Sequence, residues 1–219
     1  MIWNCLFEQS GTFKKEFRKL GFESYDYDIE NQFNETDFQL DLFAEIEKAY
    51  NKEPSIFDKM TDQGIIAFFP CIRFEAQIIM FFRGDQSSQK KWNDRQKLEY
   101  NIKIHKELSL LYDRICKLAI ICIDNNIKLI IENPYNGQHY LTRYWCIKPK
   151  IIDLDRTEWG DYFMKPTQYW FINCEPKNNL VMRYEEKKPK KRIEESKRGI
   201  ERSLISPDYA KRFIEEYIL

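Results

Sequence analysis

The apolar run Ile65-Ile66-Ala67-Phe68-Phe69 has the length and β-rich composition of a strand buried on both faces, and Pro70 ends it. Upstream, Trp3 to Phe7 reads as a shorter strand. Phe13, Phe17 and Leu20 then recur at helical spacing until Gly21, a natural residue just past a helix end. Phe22 to Asp28 predicts a second strand, and Leu42, Phe43 and Ile46 mark a short amphipathic segment after Asp41. A long helix follows the polar stretch 84–91. Asn93 with Gln96 forms a capping-box pattern at its start, and Leu98, Ile102, Leu108, Leu111, Ile115, Leu118 and Cys122 supply one apolar face. Asn125-Asn126 stops that helix, and Ile127 to Ile131 predicts another buried strand, which hands over to Glu132-Asn133-Pro134. Gln168 to Asn173 predicts a further strand. Ser206 as N-cap and Pro207 at the first helical position open a last helix, with Tyr209, Ala210, Phe213, Ile214 and Tyr217 on one face.

Strands alternating with helices predict βα units, and parallel strands bring their carboxyl ends to one edge of a sheet, the edge where ligands bind in open α/β folds. Cys71 and Glu132 both fall at such ends. Cys71 reads either as a nucleophile delivered by the central strand or as a small buried hydrophobe. Asp28, about twenty residues beyond the first strand, stands where a Rossmann-type unit places a ribose-binding carboxylate, or is a solvated strand-end acid. The turn 8–12 holds a single glycine, Gly11, a weak signal for a nucleotide loop.

Composition narrows the classes. The 219 residues suffice for one domain, and 43% apolar with 32% charged residues describes a globular chain. No apolar run approaches membrane-spanning length and nothing resembles a signal peptide, so a cytoplasmic protein without a membrane partner is expected. The six cysteines show no CxxC pair and no metal-ligand spacing, which predicts reduced thiols and no metal site. Net charge is zero, so a nucleic-acid contact needs a local basic patch. Lys187, Lys188, Lys190, Lys191 and Arg192 form the dense basic cluster, which reads as a solvated loop or as that patch. The aromatic stretch from Tyr135 to Trp170 suits either a core or base stacking.

In order along the chain, Leu6-Phe7, Ser10-Gly11-Thr12, Leu20-Gly21-Phe22-Glu23, Asp28-Ile29-Glu30, Pro70-Cys71, Ile131-Glu132-Asn133-Pro134, Lys165-Pro166-Thr167 with Trp170 and Asn173, and Arg202-Ser203-Leu204-Ile205-Ser206-Pro207 make a pattern. It resembles the small DNA cytosine-5 methyltransferases of phages and mobile elements, over nearly the whole chain.

That resemblance implies a Rossmann-like α/β fold, a mostly parallel sheet with helices on both faces, as a single domain over 1–219 with a basic insertion and reduced DNA-recognition segment at 175–203. It implies S-adenosylmethionine as cofactor and a flipped-out cytosine of DNA as substrate. Cys71 would add to carbon 6, and Glu132 would hydrogen-bond N3 and the exocyclic amine. Phe7 would pack on the adenine, Gly11 would let backbone approach the methionine part, Asp28 would hold the ribose, and Asp41 the adenine amine. Asn133 and the basic run would contact the substrate. The chain departs from the family where Gln9, preceded by Glu8, replaces the first glycine of the cofactor turn, and where Phe68-Phe69 replace small residues. Two functions are therefore expected: a DNA cytosine-5 methyltransferase, or a degenerate methyltransferase fold that binds a nucleotide or a protein partner, for example in phage counter-defence.

Overall fold

The computed structural model describes residues 1–181 and 203–219. Among them, seven strands form one sheet: β1 (Ile2–Leu6), β2 (Glu23–Asp28), β3 (Phe38–Gln39), β4 (Gly64–Phe68), β5 (Lys128–Pro134), β6 (Ile151–Asp153) and β7 (Thr167–Ile172). Their order is β3-β2-β1-β4-β5-β7-β6. The pairings from β3 through β5 are parallel, and β7 runs antiparallel to both β5 and β6. This is a Rossmann-like, mostly parallel α/β sheet. The chain winds outward from β1 to β3, then returns to lay β4 on the other side of β1. Strand order thus reverses between β1 and β4, and a crevice opens outside their carboxyl ends.

The helices are α1 (Thr12–Lys19), α2 (Leu42–Tyr50), α3 (Ile78–Arg83), α4 (Asp94–Asp124), α5 (Tyr140–Tyr144) and α6 (Pro207–Tyr217). Successive residues of β4 point to opposite faces, so Ile65 and Ala67 join a core with α2 and α4, whereas Ile66 joins one with α1 and α6. Burial on both faces is why β4 reads as a continuous apolar run.

Local signals act as their chemistry requires. Asn93 Oδ1 accepts the Gln96 N–H at 2.9 Å and Gln96 Oε1 accepts the Asn93 N–H at 3.0 Å, closing the box at the start of α4. At its end Asn126 takes a left-handed φ of 53°, and the Ile127 N–H reaches back to the Cys122 carbonyl at 2.8 Å. Ser206 Oγ caps α6 by accepting the Tyr209 N–H.

One expectation fails on packing. Leu98 and Ile102, assigned to the apolar face of α4, are 64% and 57% exposed. A 31-residue helix is about 46 Å long and outruns the sheet. Its buried stripe begins only at Ile104 and Leu108.

Trp145, Tyr169 and Trp170 of the aromatic stretch are buried core side chains, whereas Tyr144 and Tyr162 are exposed. No helix among the described residues is long and apolar enough to cross a membrane. The basic run from Lys187 to Arg192 lies outside the described residues.

Candidate functional site

The crevice at the strand reversal is a cavity of about 260 Å³. Phe7 and Glu8 after β1, Phe69 and Cys71 after β4, Glu132 on β5, and Lys165 before β7 all line it. With Gln32 and Phe33 after β2 and residues 203–205 before α6, it draws on six separate segments of the chain.

Phe7 turns the chain at the end of β1. Its backbone adopts a φ of 59°, rare for a bulky residue and costing on the order of 1–3 kcal/mol. The compensation is aromatic: its ring lies 5.3 Å from Phe69 and 5.7 Å from Phe43. The turn folds Glu8 beneath the start of α1, where its Oε1 accepts the Phe13 N–H at 2.9 Å. Helix N-termini attract anions, and here the protein's own carboxylate fills that position. Burial pushes Glu8 up to about 7, against the opposing pull of the Phe13 N–H.

Cys71 sits on a tight helical turn. The Phe74 and Glu75 N–H groups both donate to the Cys71 carbonyl, at 2.7 and 3.3 Å, and the buried Phe74 anchors the turn in the core. Cys71 Sγ donates to Glu75 Oε1 at 3.2 Å. Burial, then the neighbouring Glu75 charge, pushes the thiol up to about 12, with Lys165 acting in the opposite direction.

Glu132 is only 6% exposed, and its Oε1 has no hydrogen-bond partner. Arg156 Nη1 lies 3.8 Å from that oxygen, close enough to offset its charge and too far to hydrogen-bond it. Arg156 is itself held by Asp161 and by Thr167 Oγ1, beneath the cavity wall. Asn133 is fully buried: its Nδ2 donates to the Phe69 carbonyl at 2.8 Å, which fixes the segment leading to Cys71. It stands behind the cavity rather than lining it.

The structure brings Cys71, Glu132 and Phe7 together around one cavity. The other expected cofactor residues are elsewhere. Asp28 Oδ1 accepts the Glu30 N–H at 2.8 Å, and Asp41 is an exposed N-cap that accepts the Phe43 and Ala44 N–H groups of α2. Gly11 turns with a φ of 63°, and a Cβ there would stand 3.2–3.4 Å from Lys14, Asp26 and Glu35. It is packed against the Lys14–Asp26 ion pair rather than open to the cavity. The Gln9 side chain donates to Glu30 Oε2 at 3.4 Å, and the loop after β2 lines the cavity through Gln32 and Phe33 rather than through Asp28.

A sulfonium cofactor bearing an amino-acid carboxylate does not fit this arrangement. Its acid group would meet the Glu8 carboxylate at the start of α1, and the two acids expected to hold its nucleoside do not line the cavity.

Glu75, Lys165 and Arg156 were not anticipated. Glu75 lies four residues after Cys71, a spacing that meets only on a helical turn, and nothing local forecast a turn after Pro70. Arg156 reaches Glu132 only through the sheet. Compared with known proteins, the chain matches no protein-family model and no curated protein.

Proposed function

We propose that the protein binds a pyrimidine base with the donor pattern of cytosine in the cavity between Cys71 and Glu132, as a methyltransferase-like fold that keeps the base pocket without the cofactor seat. The observation that carries this reading is the partnerless, buried Oε1 of Glu132. A buried carboxylate oxygen without a donor costs about 1–3 kcal/mol or more, and a ligand that supplies the donor recovers it. Cytosine offers its exocyclic amine to an acidic acceptor. The rings of Phe7, Phe68 and Phe69 on the same walls suit a flat partner.

The test is fluorescence anisotropy with short single-stranded oligonucleotides that differ only in carrying one cytosine or one thymine. The expected result is a preference for cytosine, lost with about a tenfold or greater drop in affinity in Glu132→Gln, because the amide replaces one acceptor by a donor. Equal affinity of the variant for both oligonucleotides at the native level overturns the reading.

The methyltransferase reading is favoured by the shared cavity of Cys71 and Glu132. It separates from the first by calorimetry with S-adenosylmethionine. Binding at a hundred times the dissociation constant adds about 2.7 kcal/mol to stability. With Glu8 at the start of α1, no shift in melting temperature is expected, and a clear shift would restore methyl transfer as the better function.

A further inference from the structure

Cytosine alone leaves part of this cavity unmet. Three buried side-chain oxygens on the residues that line it have no hydrogen-bond partner among the described residues: Glu132 Oε1, Glu8 Oε2 and Gln9 Oε1. The strand order sets β4 between β1 and β5, so the backbone after β1 stands about 10 Å, two strand spacings, from the backbone of Glu132. One amine does not reach both ends. Glu8 is 7% exposed, and its other oxygen already accepts the Phe13 N–H, which fixes the carboxylate at the start of α1. Buried acceptors at two ends of one cavity call for a ligand with a donor at each.

The pattern of the ring decides which of its positions faces β1. Glu132 pairs with Phe68, the last residue of β4, and so lies deeper along the strands than Glu8 and Cys71, which follow theirs. With the amine on Glu132, N1 lies opposite on the ring and directs the sugar out through the mouth. One flank of the ring then carries the acceptors N3 and O2, and the other carries only hydrogen, on carbons 5 and 6. The acceptor flank suits Lys165, which precedes β7 on the far side of β5, and would be repelled by the Glu8 and Gln9 oxygens. Carbon 5 therefore faces β1.

We propose that the cavity takes a cytosine bearing at carbon 5 a short substituent with a hydrogen-bond donor, hydroxymethyl being the simplest, and that Glu8 accepts that hydrogen bond. The inference rests on the base-binding function above and extends it to the fifth position of the ring. The hydroxyl donates to the carboxylate at the start of α1, and its methylene adds apolar area among Phe7, Phe33 and Phe68 on the same walls. A methyl group at carbon 5 brings the area without the donor. A carboxyl group sets a second acid against Glu8.

The test is fluorescence anisotropy at pH 8, above the Glu8 value of about 7, with single-stranded oligonucleotides that differ only at carbon 5 of one cytosine. The hydroxymethyl form should bind about tenfold more tightly than plain cytosine. The methyl form should gain no more than about fourfold, from apolar burial alone. The carboxyl form, close to hydroxymethyl in size and opposite in what it offers, should bind about tenfold or more weakly than the hydroxymethyl form. Glu8→Gln keeps an oxygen for the Phe13 N–H and gains a donor for a carboxylate, so it should close or reverse that gap while still preferring cytosine over thymine. Equal affinity of native protein for the hydroxymethyl and methyl forms overturns the proposal, as does a gap between hydroxymethyl and carboxyl that is unchanged in Glu8→Gln. In either case a preference of native protein for cytosine over thymine leaves base binding intact. Native protein without that preference removes both.

Discussion

Arg156→Met is expected to cost about 3–5 kcal/mol of stability, measured by urea unfolding at pH 7, a large share of the 5–15 kcal/mol typical of a domain. The guanidinium is 1% exposed and meets two buried carboxylates, pairing with Asp161 and offsetting Glu132 at 3.8 Å. Methionine matches much of its volume but leaves both acids without a cation, and breaking one side of a buried ion pair is costlier than never having built it. The damage reaches α6. Asp161 Oδ1 accepts the Ser206 N–H at 2.8 Å, and Ser206 Oγ donates to the Gly160 carbonyl at 2.7 Å, so the N-cap of α6 stands on the acid that Arg156 neutralises. The guanidinium also lies 4.8 Å from the centre of the Tyr209 ring on that helix. Adding Asp161→Asn to Arg156→Met should restore part of the loss, since the amide oxygen still accepts the Ser206 N–H without needing a charge partner. A loss below about 1 kcal/mol in the single variant would show that Asp161 and Glu132 are satisfied without Arg156.

The division between what the sequence showed and what it concealed follows the range of the interactions. The capping box at Asn93 and the cap at Ser206 come from local chemistry, where residues within a few positions decide the outcome, and the parallel run of β1, β2, β4 and β5 follows from the alternation of strands with helices along the chain. The approach of Cys71 and Glu132 was legible for a related reason: two apolar runs of strand length, each ending in a polar residue, place those residues at one edge whatever lies between them. The reach of α4 beyond the sheet was not legible, because periodicity says which side chains share a face and nothing about where the opposing layer begins. The Asp28 expectation came from spacing and from the family resemblance, and the Asp41 expectation from the resemblance. Neither reveals that one carboxylate is taken by a backbone N–H and the other by a helix start. The burial of Glu8 required the left-handed turn at Phe7, a conformation that no residue preference forecasts for phenylalanine.

Glu8 and His139 should give the protein two opposing dependences of stability on pH, visible once either is removed. Burial raises Glu8 from 4.5 to about 7, so between these values the folded state binds more protons than the unfolded one and stability falls as pH rises. The magnitude is about 3 kcal/mol at 1.36 kcal/mol per unit. Burial lowers His139 from 6.5 to about 4, and its Nε2 has no hydrogen-bond partner to hold a proton. There the unfolded state binds more protons, so stability rises from pH 4 to 6.5 by a similar amount, about 3 kcal/mol. Over the shared range the two slopes nearly cancel. Glu8→Gln, which still offers an oxygen to the Phe13 N–H, should unmask a stability that climbs with pH up to about 6.5 and should exceed the native protein by up to about 3 kcal/mol at pH 8. His139→Asn, whose Oδ1 replaces the ring Nδ1 facing Gln168, should unmask a decline toward pH 7. Asp26 and Asp28, raised by burial, titrate alike in all three proteins and drop out of the differences. Urea midpoints at half-unit intervals from pH 4 to 8 decide the matter, and profiles of native protein and Glu8→Gln that run parallel would mean that Glu8 stays ionised in its buried position at the start of α1.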